Sequence, residues 1–199
     1  MCQHIEPVAT RTKFVILMHP KEYKKIKNGT GHFTHLSLKN SELYVGLDFS
    51  AHKRVNALID DPDNRCYVLY PSKKSISLNG APLTQEGKTN VIFIIDATWD
   101  CSKKMLRDSK NLQKLDYISF EHTKTSQFII KQQPDLHCLS TIESTLCVLE
   151  LLTGHGDETL DEAQLDAFLN PFEAMVSYQQ SRIVDENNEK KFVRFKRRG

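Results

Sequence analysis

Hydrophobic positions along this chain fall into short runs separated by polar turns. Val91-Ile92-Phe93-Ile94-Ile95 is unbroken and mostly β-branched, the pattern of a strand buried on both faces. Lys13 to Met18 reads as a first core strand, Glu42 to Leu47 as a second and Arg65 to Tyr70 as a third. Tyr117 to Phe120 and Phe128 to Ile130 are shorter strand runs. Between these the period lengthens. Pro20 opens a short basic helix reaching Lys27, Val55 to Ile59 is a helical piece, and a further helix runs from about Trp99 to Lys110. Ile142, Leu146, Val148 and Leu149 give the buried face of another helix, ended by Gly154. Leu165, Phe168, Leu169, Phe172, Met175 and Val176 continue at helical spacing, divided by Asn170-Pro171 with Asn170 as the second cap. Lys73 to Asn90 reads as a polar loop with one helical turn. Strand, polar turn, helix is the unit of open α/β sheets, whose ligands sit outside the carboxyl ends of the strands.

Composition narrows the class. At 199 residues the chain is expected to form one domain, 1–199, with a helical C-terminal part over 160–182 and a basic tail over 183–199. Hydrophobic residues make up 39% and charged residues 26%, the balance of a soluble globular protein. A net charge of +2 requires any nucleic-acid surface to be a local patch. No apolar run reaches the length of a membrane span, and the segment holding Arg11 and Lys13 lacks the apolar core of a signal peptide. A cytoplasmic protein with no membrane partner is expected. Cys2, Cys66, Cys101, Cys138 and Cys147 are scattered without metal-ligand spacing, so reduced thiols and no metal are expected. No internal repeat or low-complexity segment is present.

Polar residues recur where the strands end. Asp96 reads either as a general base or as the N-cap of the next helix. Thr98 either orients Asp96 or caps that helix itself; Trp99, the single tryptophan, either stacks on a base or anchors the core. Asn28-Gly29-Thr30-Gly31-His32 reads as a tight turn whose backbone N–H groups can face an anion. Ser140-x-x-Glu143 is a capping box, and a well-capped helix start is also electropositive enough to receive a carboxylate or phosphate. Lys21, Lys24, Lys25, Lys103 and Lys104 supply a basic rim. The tail from Lys190 to Arg198 interleaves cations with Phe192 and Phe195, which suits either RNA contact or a solvated terminus.

Asp96-Ala97-Thr98-Trp99 on such a strand resembles the signature of the DTW-domain family, and other stretches resemble that family's motifs in its order. Arg11-Thr12, a strand and His19-Pro20-x-Glu22 resemble the first. Thr30-Gly31-His32 stands where the family has Asn-Thr-Gly-Arg, with Gly29 intruding and His32 replacing arginine. Leu69-Tyr70-Pro71-Ser72 resembles another. Lys131 and Pro134 followed by Leu139-Ser140-Thr141-x-Glu143 resemble the last, with lysine where arginine is usual. The resemblance covers most of the chain, from about residue 10 to 176.

This resemblance implies an α/β fold with a mostly parallel sheet flanked by helices, SPOUT-like, with a knotted C-terminal cofactor-binding region. It implies a tRNA-uridine aminocarboxypropyltransferase. Such an enzyme moves the 3-amino-3-carboxypropyl group of S-adenosylmethionine to N3 of a tRNA uridine and releases 5′-methylthioadenosine. S-adenosylmethionine is then a substrate, tRNA the partner, and the protein a monomer or homodimer. N3 lies on the Watson–Crick edge, so the target is an unpaired uridine. Carried over residue by residue, Asp96 and Trp99 are the catalytic candidates. Leu69, Tyr70, Pro71, Ser72, Asp96, Thr98, Leu139, Ser140, Thr141 and Glu143 are candidates for binding the donor. His19, Lys24, Thr30, His32, Lys103, Lys104 and Lys131 are candidates for binding RNA. An RNA methyltransferase using the same donor and a non-catalytic RNA-binding module are the alternatives.

Overall fold

The computed structural model describes residues 2–25, 29–83, 87–127 and 138–183. The elements in chain order are β1 (Lys13–Met18), α1 (Pro20–Lys25), α2 (Thr30–Leu36), β2 (Ser41–Val45), α3 (Lys53–Asp60), β3 (Asn64–Leu69), β4 (Ile76–Ser77), β5 (Thr89–Asp96), α4 (Trp99–Asp108), β6 (Asp116–Ser119), α5 (Thr141–Gly154), α6 (Glu162–Ala167) and α7 (Asn170–Ile183). The six strands form one parallel sheet in the order β2-β1-β5-β3-β6-β4. The unbroken apolar run of β5 therefore lies between β1 and β3, where both of its faces need cover.

Alternation along the strands assigns each side chain to a face. Phe14, Tyr67, Ile92, Ile94 and Ile118 meet α2, α5 and α7 through Phe33, Leu149, Leu152 and Phe172. Val15, Leu17, Val68, Val91 and Phe93 meet the opposite layer through Phe49, Val55, Leu58, Met105 and Leu106. Asp96 has the parity of Ile92 and Ile94, so its carboxylate points to the α2 and α5 side. Met18 is level with Asp96, and Leu69 with Ile94, so the carboxyl ends of the central strands form one edge.

Helix α5 carries the strongest local signals. Glu143 accepts from the Ser140 N–H at 2.7 Å, closing the capping box at its start. The helix ends at Gly154, as the sequence suggests, but the glycine in the left-handed position lies two residues further on. Gly154 is still helical, and Gly156 is the left-handed residue, at φ 82°. The Gly156 N–H reaches Thr153 O at 3.0 Å and the Asp157 N–H reaches Leu152 O at 2.8 Å, which together make a Schellman motif. The acids that follow are buried and tie down distant backbone. Glu158 accepts from Arg11 N at 2.9 Å and Thr12 N at 2.7 Å, and Asp157 accepts from Leu83 N at 2.8 Å.

Other expectations shift for physical reasons. The glycine turn at 29–32 is the start of α2: Gly29 O accepts from His32 N and Phe33 N at 3.0 and 3.1 Å, so those N–H groups are committed to the helix. Burial of Phe33 and Thr34 holds this helix against α5 and β1. Lys73–Asn90 contains the strand β4 and, among its described residues, no helical turn. Leu78 and Leu83 are buried there and anchor it. Asn170 is the first helical residue of α7, because Leu169 O accepts from Phe172 N and Glu173 N, both at 2.9 Å. The expected strand at 128–130 and the basic tail from 184 onward lie outside the described residues.

The two glycines at the end of α5 give a direct check. Gly154→Ala fills open space on a helix and should stabilise the fold by up to about 1 kcal/mol. Gly156→Ala forces a side chain into the left-handed region and should cost about 1–2 kcal/mol in chemical denaturation. A pH test concerns Glu42 on β2, which accepts from Arg54, Tyr44 and Lys13. The Arg54 bond leads in holding its carboxyl down at about 2, against an ordinary 4.5. Its contribution is therefore complete above the ordinary value and lost as pH falls through the range between the two. Glu42→Gln should flatten that acid limb of thermal stability.

Candidate active site at the carboxyl edge of the sheet

A cavity of about 340 Å³ opens where β3, β5 and β6 end and α4 and α5 begin. This volume lies within the ~300–1,000 Å³ range of small-molecule sites. Its wall is mostly apolar and aromatic: Leu69, Tyr70, Pro71, Ile94, Ile95, Trp99, Phe120 and Leu139. Polar groups are few: Ser102, Ser119, His122, Thr141 and Ser144. Trp99 is 43% exposed and meets Tyr70 edge-on, with ring centroids 6.0 Å apart. It is a rim residue rather than a core anchor.

Asp96 stands behind this wall. It is 7% exposed, and its neighbours Ile95 and Ala97 line the cavity on either side of it. Its Oδ1 accepts the Thr141 hydroxyl at 2.5 Å. Its backbone carbonyl accepts from His19 N at 2.9 Å. Gly31 of α2 lies so close that a Cβ there would stand 2.4 Å from Oδ2 and 2.6 Å from Cγ. That approach, not a left-handed backbone, is what the glycine provides. The N-cap of α4 is Thr98, an exposed residue whose side chain makes no capping bond, so Asp96 does not serve as the cap.

Of the donor-binding candidates, Leu69, Tyr70, Pro71, Leu139 and Thr141 line the cavity. Ser72 is exposed and bonds to Ser75; Ser140 is buried as the cap of α5. Glu143 is occupied within the fold, accepting from Ser126 Oγ at 2.9 Å and from Gln127 N and Ser140 N at 2.7 Å each. A carboxylate so engaged pins the 126–127 segment to the start of α5. Sequence reasoning missed Phe120, His122, Ser102 and Ser144. Phe120 and His122 had a readable signal, since they follow a short strand on the same sheet edge.

The RNA-binding candidates divide. Lys24, Lys103 and Lys104 are exposed, and Lys131 lies outside the described residues. Thr30 begins α2, its carbonyl accepting from Thr34 Oγ1 at 2.8 Å. His32 is half-buried and its ring stacks on Tyr23, with centroids 5.6 Å apart. Tyr23, 50% exposed on α1, is an aromatic surface that the sequence reading passed over. Burial lowers the His19 pKa below 6.5, with Lys21 and Lys104 pushing the same way and Glu22 opposing. Its Nδ1 accepts from Lys21 N at 3.0 Å, so a neutral ring carries its proton on Nε2. His19 is thus a neutral donor, and the positive charge at this edge resides on the lysines.

Among the described residues, no group of three or more His, Cys, Asp and Glu side chains could hold a metal, and no helix is long and apolar enough to cross a membrane.

A family model described as DTW domain matches residues 1–180. The chain is 27% identical over 192 residues to a Drosophila melanogaster protein named tRNA-uridine aminocarboxypropyltransferase 2, covering 94% of this chain and 72% of the fly protein. The mouse protein of the same name is 24% identical over 178 residues, covering 88% of this chain and 57% of its own length. The Macaca fascicularis protein of that name is also 24% identical, over 176 residues, covering 87% of this chain and 56% of its own length. The chain therefore spans little more than half of the two mammalian relatives. No solved structure matches it.

The close approach of Gly31 to Asp96 predicts a sharp position effect. Gly31→Ala should cost about 1–3 kcal/mol in chemical denaturation, because the Asp96 carboxylate or α2 must shift. Gly80→Ala, with its nearest neighbour 3.8 Å away, should stay within about 0.5 kcal/mol.

Proposed function

The chain belongs to the DTW-domain family, and from that membership we propose that it is a tRNA-uridine aminocarboxypropyltransferase. On this reading it transfers the 3-amino-3-carboxypropyl group of S-adenosylmethionine to N3 of an unpaired tRNA uridine. The observation that carries the reading is convergence. Leu69-Tyr70-Pro71, Ala97 with Trp99, and Leu139 with Thr141 come from separate stretches that resemble family motifs, and all line one cavity.

The cavity suits such a donor. Tyr70, Trp99 and Phe120 offer flat apolar surface to an adenine, and the start of α5 offers a positive dipole end to a carboxylate. When bound, the donor supplies a sulfonium that activates three adjacent carbons toward a nucleophile. Choosing among them is a problem of orientation, which a fixed wall can solve. Asp96 is the proton acceptor for N3 in this scheme, and a positioned base of this kind contributes roughly 10²–10⁴ in rate. Lys24, Lys103 and Lys104 attract the phosphates, and their contribution should fall with added salt. The knotted SPOUT topology, a cytoplasmic location and a monomeric or homodimeric state belong to the same proposal.

The test is product analysis. Incubated with unmodified tRNA and S-adenosylmethionine, the chain should release 5′-methylthioadenosine and leave a uridine heavier by the aminocarboxypropyl group. S-adenosylhomocysteine with a methylated base would identify a methyltransferase instead. Tight RNA binding with neither product would identify a binding module.

A further inference from the structure

The geometry points to Thr141, not Asp96, as the group that meets the uridine N3–H, with Asp96 acting through it. This inference rests on the proposed transfer to N3. Its basis is the order of contacts across the wall: the cavity touches Thr141, and Thr141 touches Asp96. The Asp96 carboxylate is nearly enclosed between Gly31 on one side and Thr141 on the other.

A hydroxyl has one proton and two lone pairs, and an ionised carboxylate only accepts. The Thr141 proton therefore lies on its bond to Asp96 Oδ1, 2.5 Å long. What Thr141 offers the cavity is then an acceptor, sharpened by the negative charge behind it. Thr141 is fixed at the first turn of α5, where the Ser140–Glu143 box holds the backbone. Its carbonyl accepts from Thr145 Oγ1 at 2.7 Å, which further anchors that turn. An acceptor held this way selects a ligand N–H, and N3–H of an unpaired uridine is such a donor.

The step balances as follows. The N3 proton moves to Thr141 Oγ as the Thr141 proton moves to Asp96 Oδ1. The N3 electron pair forms the new N–C bond to the γ-carbon while the C–S bond breaks, its electrons neutralising the sulfonium. Thr141 ends as a hydroxyl and Asp96 as a carboxylic acid, which returns its proton to water. Thr141 is then a catalytic residue and Asp96 the proton sink behind it.

Two measurements test this, one of which needs no turnover. Trp99, the single tryptophan, stands on the cavity rim, so its fluorescence reports occupancy. By that signal and without donor, the wild-type chain should bind a short unpaired uridine oligonucleotide at least tenfold more tightly than its N3-methyluridine counterpart. Thr141→Val should reduce the preference below threefold, and Thr141→Ser should restore it. In turnover, Thr141→Val should lower kcat about 10²–10⁴-fold. Raising the pH, which ionises N3 in solution, should recover part of that loss, as no packing defect would. Equal binding of the two oligonucleotides by the wild type, or a Thr141→Val kcat within threefold of normal, overturns the inference while leaving the transfer reaction standing. Release of no methylthioadenosine by the wild type overturns the transfer reading, and the inference with it.

Discussion

The bond between the Asp96 carboxylate and the Thr141 hydroxyl is the constraint on which the site depends. A carboxylate withdrawn from water at the end of a buried strand must be met by donors. Thr141 comes from α5, more than forty residues onward, and bonds it at 2.5 Å. Gly31 comes from α2 and approaches closely enough to exclude any side chain of its own. Strand β5 and helices α2 and α5 are thereby held at one point, and the cavity lies beside it. A charge-assisted bond of this kind contributes roughly 1.5–3 kcal/mol, a large share of a typical domain's net stability.

The same device recurs at both ends of α5. Glu143 at its start gathers N–H groups from Gln127 and Ser140, and Asp157 and Glu158 beyond its stop gather those of Leu83, Arg11 and Thr12. Eight of the helix's residues are buried, so it packs as a central element rather than a surface one. Buried acids thus tie loops to a rigid apolar helix, and the loops so fixed flank the carboxyl edge and the opposite edge of the sheet. By contrast, the lysines at 21, 24, 103 and 104 remain exposed. The acids at the end of β5 and at the two ends of α5 are enclosed, while these lysines are left at the surface.

This division also explains the histidines. His19 is withdrawn from water and feels the charges of Lys21 and Lys104, both of which hold its pKa down, and its Nδ1 serves as a hydrogen-bond acceptor. His32 departs from the family's arginine and stacks on Tyr23 instead. A planar ring pair stands there in place of a permanent charge.

Elements whose signals are local were legible in the chain of residues. The five apolar residues from Val91 to Ile95 required cover on two faces, and Ser140-x-x-Glu143 specified where a helix begins. Asp96-Ala97-Thr98-Trp99 marked the end of the central strand, and continuous apolar runs marked most of the sheet's core. Features that depend on the approach of distant segments were set only when the chain folded. A glycine-rich stretch reads as a turn until burial of Phe33 and Thr34 makes it a helix. Gly31 reads as part of that turn until Asp96 is seen beside it, and Gly156 rather than Gly154 takes the left-handed position past the end of α5, where the Leu152 and Thr153 carbonyls find partners. Which of Asp96 and Thr141 faces the cavity was equally illegible, because residues 45 positions apart in sequence acquire an order in space only when the sheet and α5 come together.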